Sequence, residues 1–385
     1  MSSAPKRKSA LVLAGGGMTG AAYEIGALTA LGRLFDTGFS ISDFDIYLGT
    51  SAGSILATLL ANRIVPSDIY YDIAQNNPSL FNWRRDDIYR IDRREVWSNL
   101  RAVIANVFRV LKTYKLKRWD LSLTEILHIF QEQLPAGLYS LDPLQSYLCN
   151  ALREAGMHDD FDRIDAELYI VAYNLDTLER VIFGTPPYRN LHICRAIAAS
   201  CAYPLFFRPF QIENQHYVDG AVGRTDHIDV AIDHGATLVV MINPLVPIDN
   251  RDADTCLPSL SLNQCASIAE LGATFAWEQA QRIENREKMK MALEIHRLKH
   301  PEVDIVLFEP NKEETLHFFQ GPMSNEAKEH IMRSAYHQTR WQLINGFEEF
   351  QTIFSRHGIR VTKRGLEKTG LDEPGTDSYQ GRCEP

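Results

Sequence analysis

Apolar positions along the chain fall into two kinds of run. Short ones, rich in β-branched and aromatic residues, occur at 9–14 (SALVLA), 44–50 (FDIYLGT), 166–175 (AELYIVAYNL), 179–184 (ERVIFG), 236–244 (ATLVVMINP) and 303–310 (VDIVLFEP), as buried strands require. Between them, at 21–35, 52–64 and 190–202, apolar residues recur three and four apart, the spacing of helices that bury one face. Strand and helix alternate. That alternation predicts an α/β three-layer sandwich around a mostly parallel central sheet. The run at 179–184 follows the one at 166–175 across Asp176-Thr177, so these two are expected to form a hairpin and make the sheet mixed.

Two stretches interrupt the pattern, a basic and aromatic one at 65–160 and a long helical one at 258–298. Both read as helical insertions on one core spanning 9–352, the first of them as a cap. Residues 322–352 read as one closing helix, and the polar segment 358–385 as a disordered tail. With 385 residues, 45% hydrophobic and 23% charged, there is ample material for a buried core. No run approaches about 18 consecutive apolar residues, and the start PKRKSA leads into a glycine-broken segment unlike a signal peptide. The expected location is therefore cytoplasmic. Six scattered cysteines without C-x-x-C spacing suggest neither a zinc site nor a disulfide framework, and reduced thiols are expected. A net charge of −9 argues against a nucleic-acid partner.

Chemistry concentrates at three places. LVLAGGGMTGAA (11–22) joins the first strand to the first helix, and its Gly15, Gly17 and Gly20 fit G-x-G-x-x-G. Such a loop cradles a dinucleotide pyrophosphate, or the oxyanion of an acyl transfer. The dinucleotide reading wants an acidic residue at the tip of the second strand. That tip is GTSAG (49–53), and Asp36, Asp43 and Asp45 lie at the wrong end. GTSAG is instead G-x-S-x-G between a strand and a helix, a turn that projects a serine outward, so Ser51 is the candidate nucleophile. Because sequential parallel strands usually neighbour one another, the amides of Gly15, Gly16 and Gly17 are the candidate oxyanion donors. QHYVDGAVGR (215–224) offers Asp219 as a base, expected in a loop after an apolar, aromatic stretch, while His216 and His227 leave a serine–histidine–aspartate triad as an alternative.

AGGGMTG (14–20), GTSAGS (49–54), ASCAYPLFF (199–207) followed by RPF, and YVDGA (217–221) stand in the order found in the patatin-like phospholipases, a family this chain resembles over roughly 9–350. The resemblance implies a Ser-Asp dyad of Ser51 and Asp219, an oxyanion hole of Gly15 to Gly17, no cofactor and no metal. It implies hydrolysis of carboxylic esters of lipids, most of all phospholipids or lysophospholipids. Thr19 departs from the family's usual arginine in G-G-G-x-R-G, which removes a cation beside the oxyanion loop. Alternatives are a neutral-lipid or short-chain esterase and a catalytically silent lipid-binding protein.

Between residues 84 and 118 stand eleven Lys/Arg against four Asp/Glu. Trp97 and Phe108 share an apolar stripe rimmed by Arg101, Arg109 and Lys112, the pattern of a helix at a membrane surface. These five are candidate membrane contacts, in competition with packing on the core. Oligomeric state is not legible in the sequence.

Overall fold

A computed structural model describes residues 7–77, 136–224, 226–249, 257–259, 264–311 and 325–367, with Arg101, Ala105, Arg109 and Lys112 from the basic segment. The core is a sheet of eight strands: β1 (Lys8–Leu13), β2 (Ile46–Thr50), β4 (Glu167–Asn174), β5 (Arg180–Phe183), β7 (Phe210–Ile212), β8 (Gln215–Asp219), β9 (Ala236–Ile242) and β12 (Asp304–Phe308). Their order is β12-β9-β1-β2-β4-β8-β7, with β5 also on β4. The five strands from β12 to β4 run parallel, and β5, β7 and β8 are antiparallel to their neighbours. Two small pairs stand apart, β3 (Gly137–Tyr139) with β6 (Leu205–Phe207) and β10 (Leu257–Ser259) with β11 (Gln264–Ala266).

Strand periodicity sorts the core into two faces. Leu11, Leu13, Tyr47, Leu168 and Ile170 point to one side, against α1 (Gly17–Gly32), α2 (Ala52–Ala61) and α5 (Ile193–Ser200). Ala10, Val12, Ile46, Leu48 and Val171 point to the other, where α6 (Ile228–Asp233) and Met289 of α7 (Ala273–Lys299) cover them. The expected three-layer sandwich is what these faces build. Helix α1 packs closely on α8 (Asn325–Asn345): a Cβ at Gly26 would stand 2.1 Å from the Met332 carbonyl oxygen.

Four expectations change. The closing helix is two, α8 and α9 (Phe347–Arg356), broken at Gly346. The tail does not begin at 358: Thr362 N–H donates to Leu34 O at 2.8 Å, and α10 (Lys363–Glu367) buries Leu366, so a polar composition conceals one anchoring leucine. Residues 368–385 lie outside the described residues. Asp219 ends a strand rather than sitting in a loop. And the thiols are not all reduced: Cys149, on α4 (Asp142–Glu154), is disulfide-bonded to Cys194 on α5. These cysteines are 45 residues apart and meet because α4 packs on α5, a proximity no local spacing reveals. No helix among the described residues is long and apolar enough to cross a membrane, and α3 (Pro66–Ala74) is the remaining described element of the first insertion's N-terminal side.

Candidate active site

The register of β4 brings the candidate residues together. Strand β2 runs along β4 as far as Thr50 opposite Val171, and β8 takes over at Asp219 opposite Ala172. Strand β5 occupies residues 170–173 from the other edge, so β2 and β8 share one edge, tip to tip. Ser51, the next residue after β2, therefore meets Asp219, the last of β8.

Ser51 has φ 54° and ψ −132°, a conformation that costs a non-glycine residue roughly 1–3 kcal/mol and persists only where its surroundings over-determine it. Here they do. Ser51 N–H donates to Ser200 Oγ (2.9 Å), which donates onward to Val171 O (2.6 Å). The Ser51 carbonyl accepts from Ser54 N–H (2.9 Å) and Ser54 Oγ (2.5 Å). Helix α2 then starts at Ala52, with its N-terminal dipole at the serine.

Asp219 is fully buried. Its Oδ1 accepts from Ala221 N–H (2.9 Å), and its Oδ2 makes no hydrogen bond. Burial pushes the carboxyl up to about 7, against the opposing pull of the Ser51 hydroxyl and the Ala221 N–H. Ser51 is thus near enough to act on the Asp219 carboxyl while Oδ2 holds no formed hydrogen bond, a state common before substrate tightens a site.

The glycine loop lies directly on the serine turn. Gly15 has φ +81°, and a Cβ there would stand 2.3 Å from Thr50 O and 3.0 Å from Ser51 Cβ. Gly15 N–H does not face the site: it donates to Glu24 Oε1 at 2.8 Å. Of the three glycines expected as oxyanion donors, Gly16 and Gly17 are those whose amides carry no hydrogen bond among the described residues. Gly15→Ala should destabilise the fold by at least about 2 kcal/mol, since the methyl meets backbone and the left-handed φ is unfavourable as well. Thermal unfolding checks this, and a variant as stable as the native chain would contradict the packing.

Neither histidine completes a triad. His216 pairs with Asp176 at the surface, Nδ1 to Oδ2 at 3.3 Å. His227 is buried and its Nε2 lies 3.2 Å from Gly220 O. Burial lowers its pKa to about 4, so it is neutral and props the backbone after Asp219. Behind it Arg180 holds Asp229 through two bonds of 3.0 and 2.6 Å. Sequence reasoning missed Ser200 and Glu24. Ser200 lies within the ASCAYP motif without any local sign of its role, whereas Glu24 is a lone carboxyl in the apolar helix AAYEIGALTAL.

Beside Ser51 and Asp219 stands an apolar wall. Tyr203 is close enough for the Asp219 charge to act on its phenol, and its ring packs at 5.8 Å from Trp277 and 6.3 Å from Phe206. Leu138, Leu205 and Phe206, brought together by the β3–β6 pairing, are exposed. Of the candidate membrane contacts, Arg101, Arg109 and Lys112 are helical and exposed, and Trp97 and Phe108 lie outside the described residues.

The patatin-like phospholipase family profile matches residues 11–232, which spans the glycine loop, the serine turn and Asp219. This chain belongs to the patatin-like phospholipase family. It is 26% identical over 229 residues to "Probable lipid hydrolase 463L" of Invertebrate iridescent virus 6, a match covering 59% of this chain and 64% of that protein. Among solved structures it is similar to VipD from Legionella pneumophila (14% identity, TM-score 0.30, covering 92% of this chain and 79% of that one). It is also similar to the ExoU–SpcU complex of Pseudomonas aeruginosa (17% identity, TM-score 0.29, covering 92% and 64%).

Proposed function

We propose that this chain is a serine acyl hydrolase that cleaves carboxylic esters of lipids, phospholipids or lysophospholipids foremost, through an acyl-Ser51 intermediate. The observation that carries the reading is the β4 register, with Thr50 opposite Val171 and Asp219 opposite Ala172. A buried carboxyl beside a strained serine needs a use.

Ser51 Oγ attacks the ester carbonyl carbon while its proton passes to Asp219 Oδ2, the oxygen without a partner. The Gly16 and Gly17 amides stabilise the oxyanion, each good donor contributing on the order of 3 kcal/mol. Collapse of the tetrahedral intermediate expels the alcohol, which takes the proton back from Asp219. Water, deprotonated by Asp219, then attacks the acyl-enzyme and releases the fatty acid with Ser51 reprotonated. The exposed Leu138, Leu205 and Phe206 suit the acyl chain. No step calls for a metal or cofactor.

Labelling by a fluorophosphonate, which reacts with activated serines, tests the reading: the native chain should label and the Ser51→Ala variant should not. No labelling of the native chain, in the presence of detergent or vesicles, would overturn it. A second reading, a neutral-lipid esterase, is favoured by Thr19, a buried, uncharged residue where the family usually carries arginine. Comparing rates on phosphatidylcholine and triacylglycerol separates the two.

The basic segment is the candidate membrane dock. Binding to vesicles should strengthen with the fraction of anionic lipid and weaken as salt rises, because about 1 kcal/mol accrues per Lys or Arg near an anionic surface. Equal sedimentation with neutral and anionic vesicles would remove that role.

A further inference from the structure

We propose that Glu24 is a positioning residue for the oxyanion loop, its side chain pinning Gly15 N–H so that the next two amides, of Gly16 and Gly17, stay presented beside Ser51. The kinetic half of this inference rests on the acyl-hydrolase reading; the structural half does not.

Glu24 lies two turns into α1 and is fully buried. Its Oε1 accepts from Gly15 N–H at 2.8 Å, and its Oε2 has no hydrogen bond. Burial raises its pKa well above the ordinary carboxylate value, outweighing the Gly15 bond. A leucine would fill the same apolar space without the cost of desolvating a carboxyl. The residue's evident return is the Gly15 bond.

The surroundings of that bond are tight. Gly15 is wedged among backbone: a Cβ on Gly20 would stand 2.2 Å from Gly15 O, and one on Gly53 would stand 2.9 Å from Gly15 N. Glu24 supplies the acceptor for this buried N–H. Three consecutive glycines otherwise have wide freedom to rotate their peptide planes. With the first plane fixed by Glu24, the following two inherit a defined direction; without it, a buried donor is left unsatisfied and the plane is free to turn, carrying its neighbours with it.

The test compares Glu24→Gln, which keeps an Oε1 acceptor in the same shape, with Glu24→Met, which keeps the volume and removes the acceptor. On a chromogenic short-chain ester, Glu24→Gln should stay within about threefold of the native kcat. Glu24→Met should lose roughly 10- to 100-fold in kcat with little change in KM, since misplacing catalytic groups by about 1 Å can cost about 100-fold. Amide hydrogen exchange over residues 14–20 should accelerate in Glu24→Met and not in Glu24→Gln. A Glu24→Met chain with native kcat and only a lower Tm would overturn the proposal, as would a Glu24→Gln chain as slow as Glu24→Met. If the native chain neither hydrolyses esters nor labels, the hydrolase reading fails by itself. The exchange comparison still decides the pinning, and equal exchange in all three chains would refute it.

Discussion

Ser51→Ala should lower ester turnover by about 10⁴-fold or more while leaving the fold intact, because loss of the proposed nucleophile leaves only binding and oxyanion stabilisation. The variant keeps every backbone bond of the turn, from Ser51 N–H to Ser200 Oγ and from Ser54 to the Ser51 carbonyl, so its unfolding midpoint should match the native one. Ser51→Gly should be equally inactive yet more stable by roughly 1 kcal/mol, since glycine adopts φ 54° without steric cost. Together the pair separates chemistry from strain. Residual turnover above about 1% in purified Ser51→Ala would mean that another residue attacks the ester.

Asp219→Asn should be nearly as damaging, by about 10³- to 10⁴-fold, because asparagine cannot take the serine proton. For the native chain, an Asp219 pKa of about 7 means that kcat/KM should rise about tenfold per pH unit below neutrality and level off above it. Stability should move the other way. Unfolded, the carboxyl titrates near 3.8, and folded near 7, so between these values the folded chain holds a proton that the unfolded chain has released. Raising the pH through this window weakens the fold, by on the order of 4 kcal/mol once both states are ionised. The contribution is fully present below 3.8 and lost as pH passes through about 7. Asp219→Asn has no such loss. At pH 8 it should therefore be the more stable protein, and thermal unfolding of both chains at pH 5 and 8 reads the difference. A variant less stable than native at pH 8 would contradict the raised pKa.

Much of this arrangement is written locally. Short apolar runs rich in β-branched and aromatic residues located β1, β2, β4, β5, β9 and β12 because buried strands impose that composition on themselves. Ser51 and Asp219 stood out because a sharp strand-to-helix turn and an Asp-Gly step leave small-residue signatures. Strands β7 (FQI) and β8 (QHYVD) are broken by polar residues and offer no apolar run to register. The Cys149–Cys194 bond and the role of Ser200 depend on helices meeting across the fold, and only tertiary packing reveals them. Gly15 is the instructive case. Its sequence neighbours make it look equivalent to Gly16 and Gly17, and the distinction lies in a single hydrogen bond to a side chain nine positions on.

The shared edge of β4 also carries a consequence for how the protein comes into being. Ser51 and its glycine loop are synthesised early, but Asp219 arrives only after the hairpin of β4 and β5 and the connection through α5, and pairing so distant in sequence forms late in folding. A nascent chain holding residues 11–60 has Ser51 and the glycine loop but neither Ser200, which holds the turn, nor Asp219. On the proposed mechanism, reactivity at Ser51 switches on only once β8 has docked, and the time course of covalent labelling during refolding would record that docking directly.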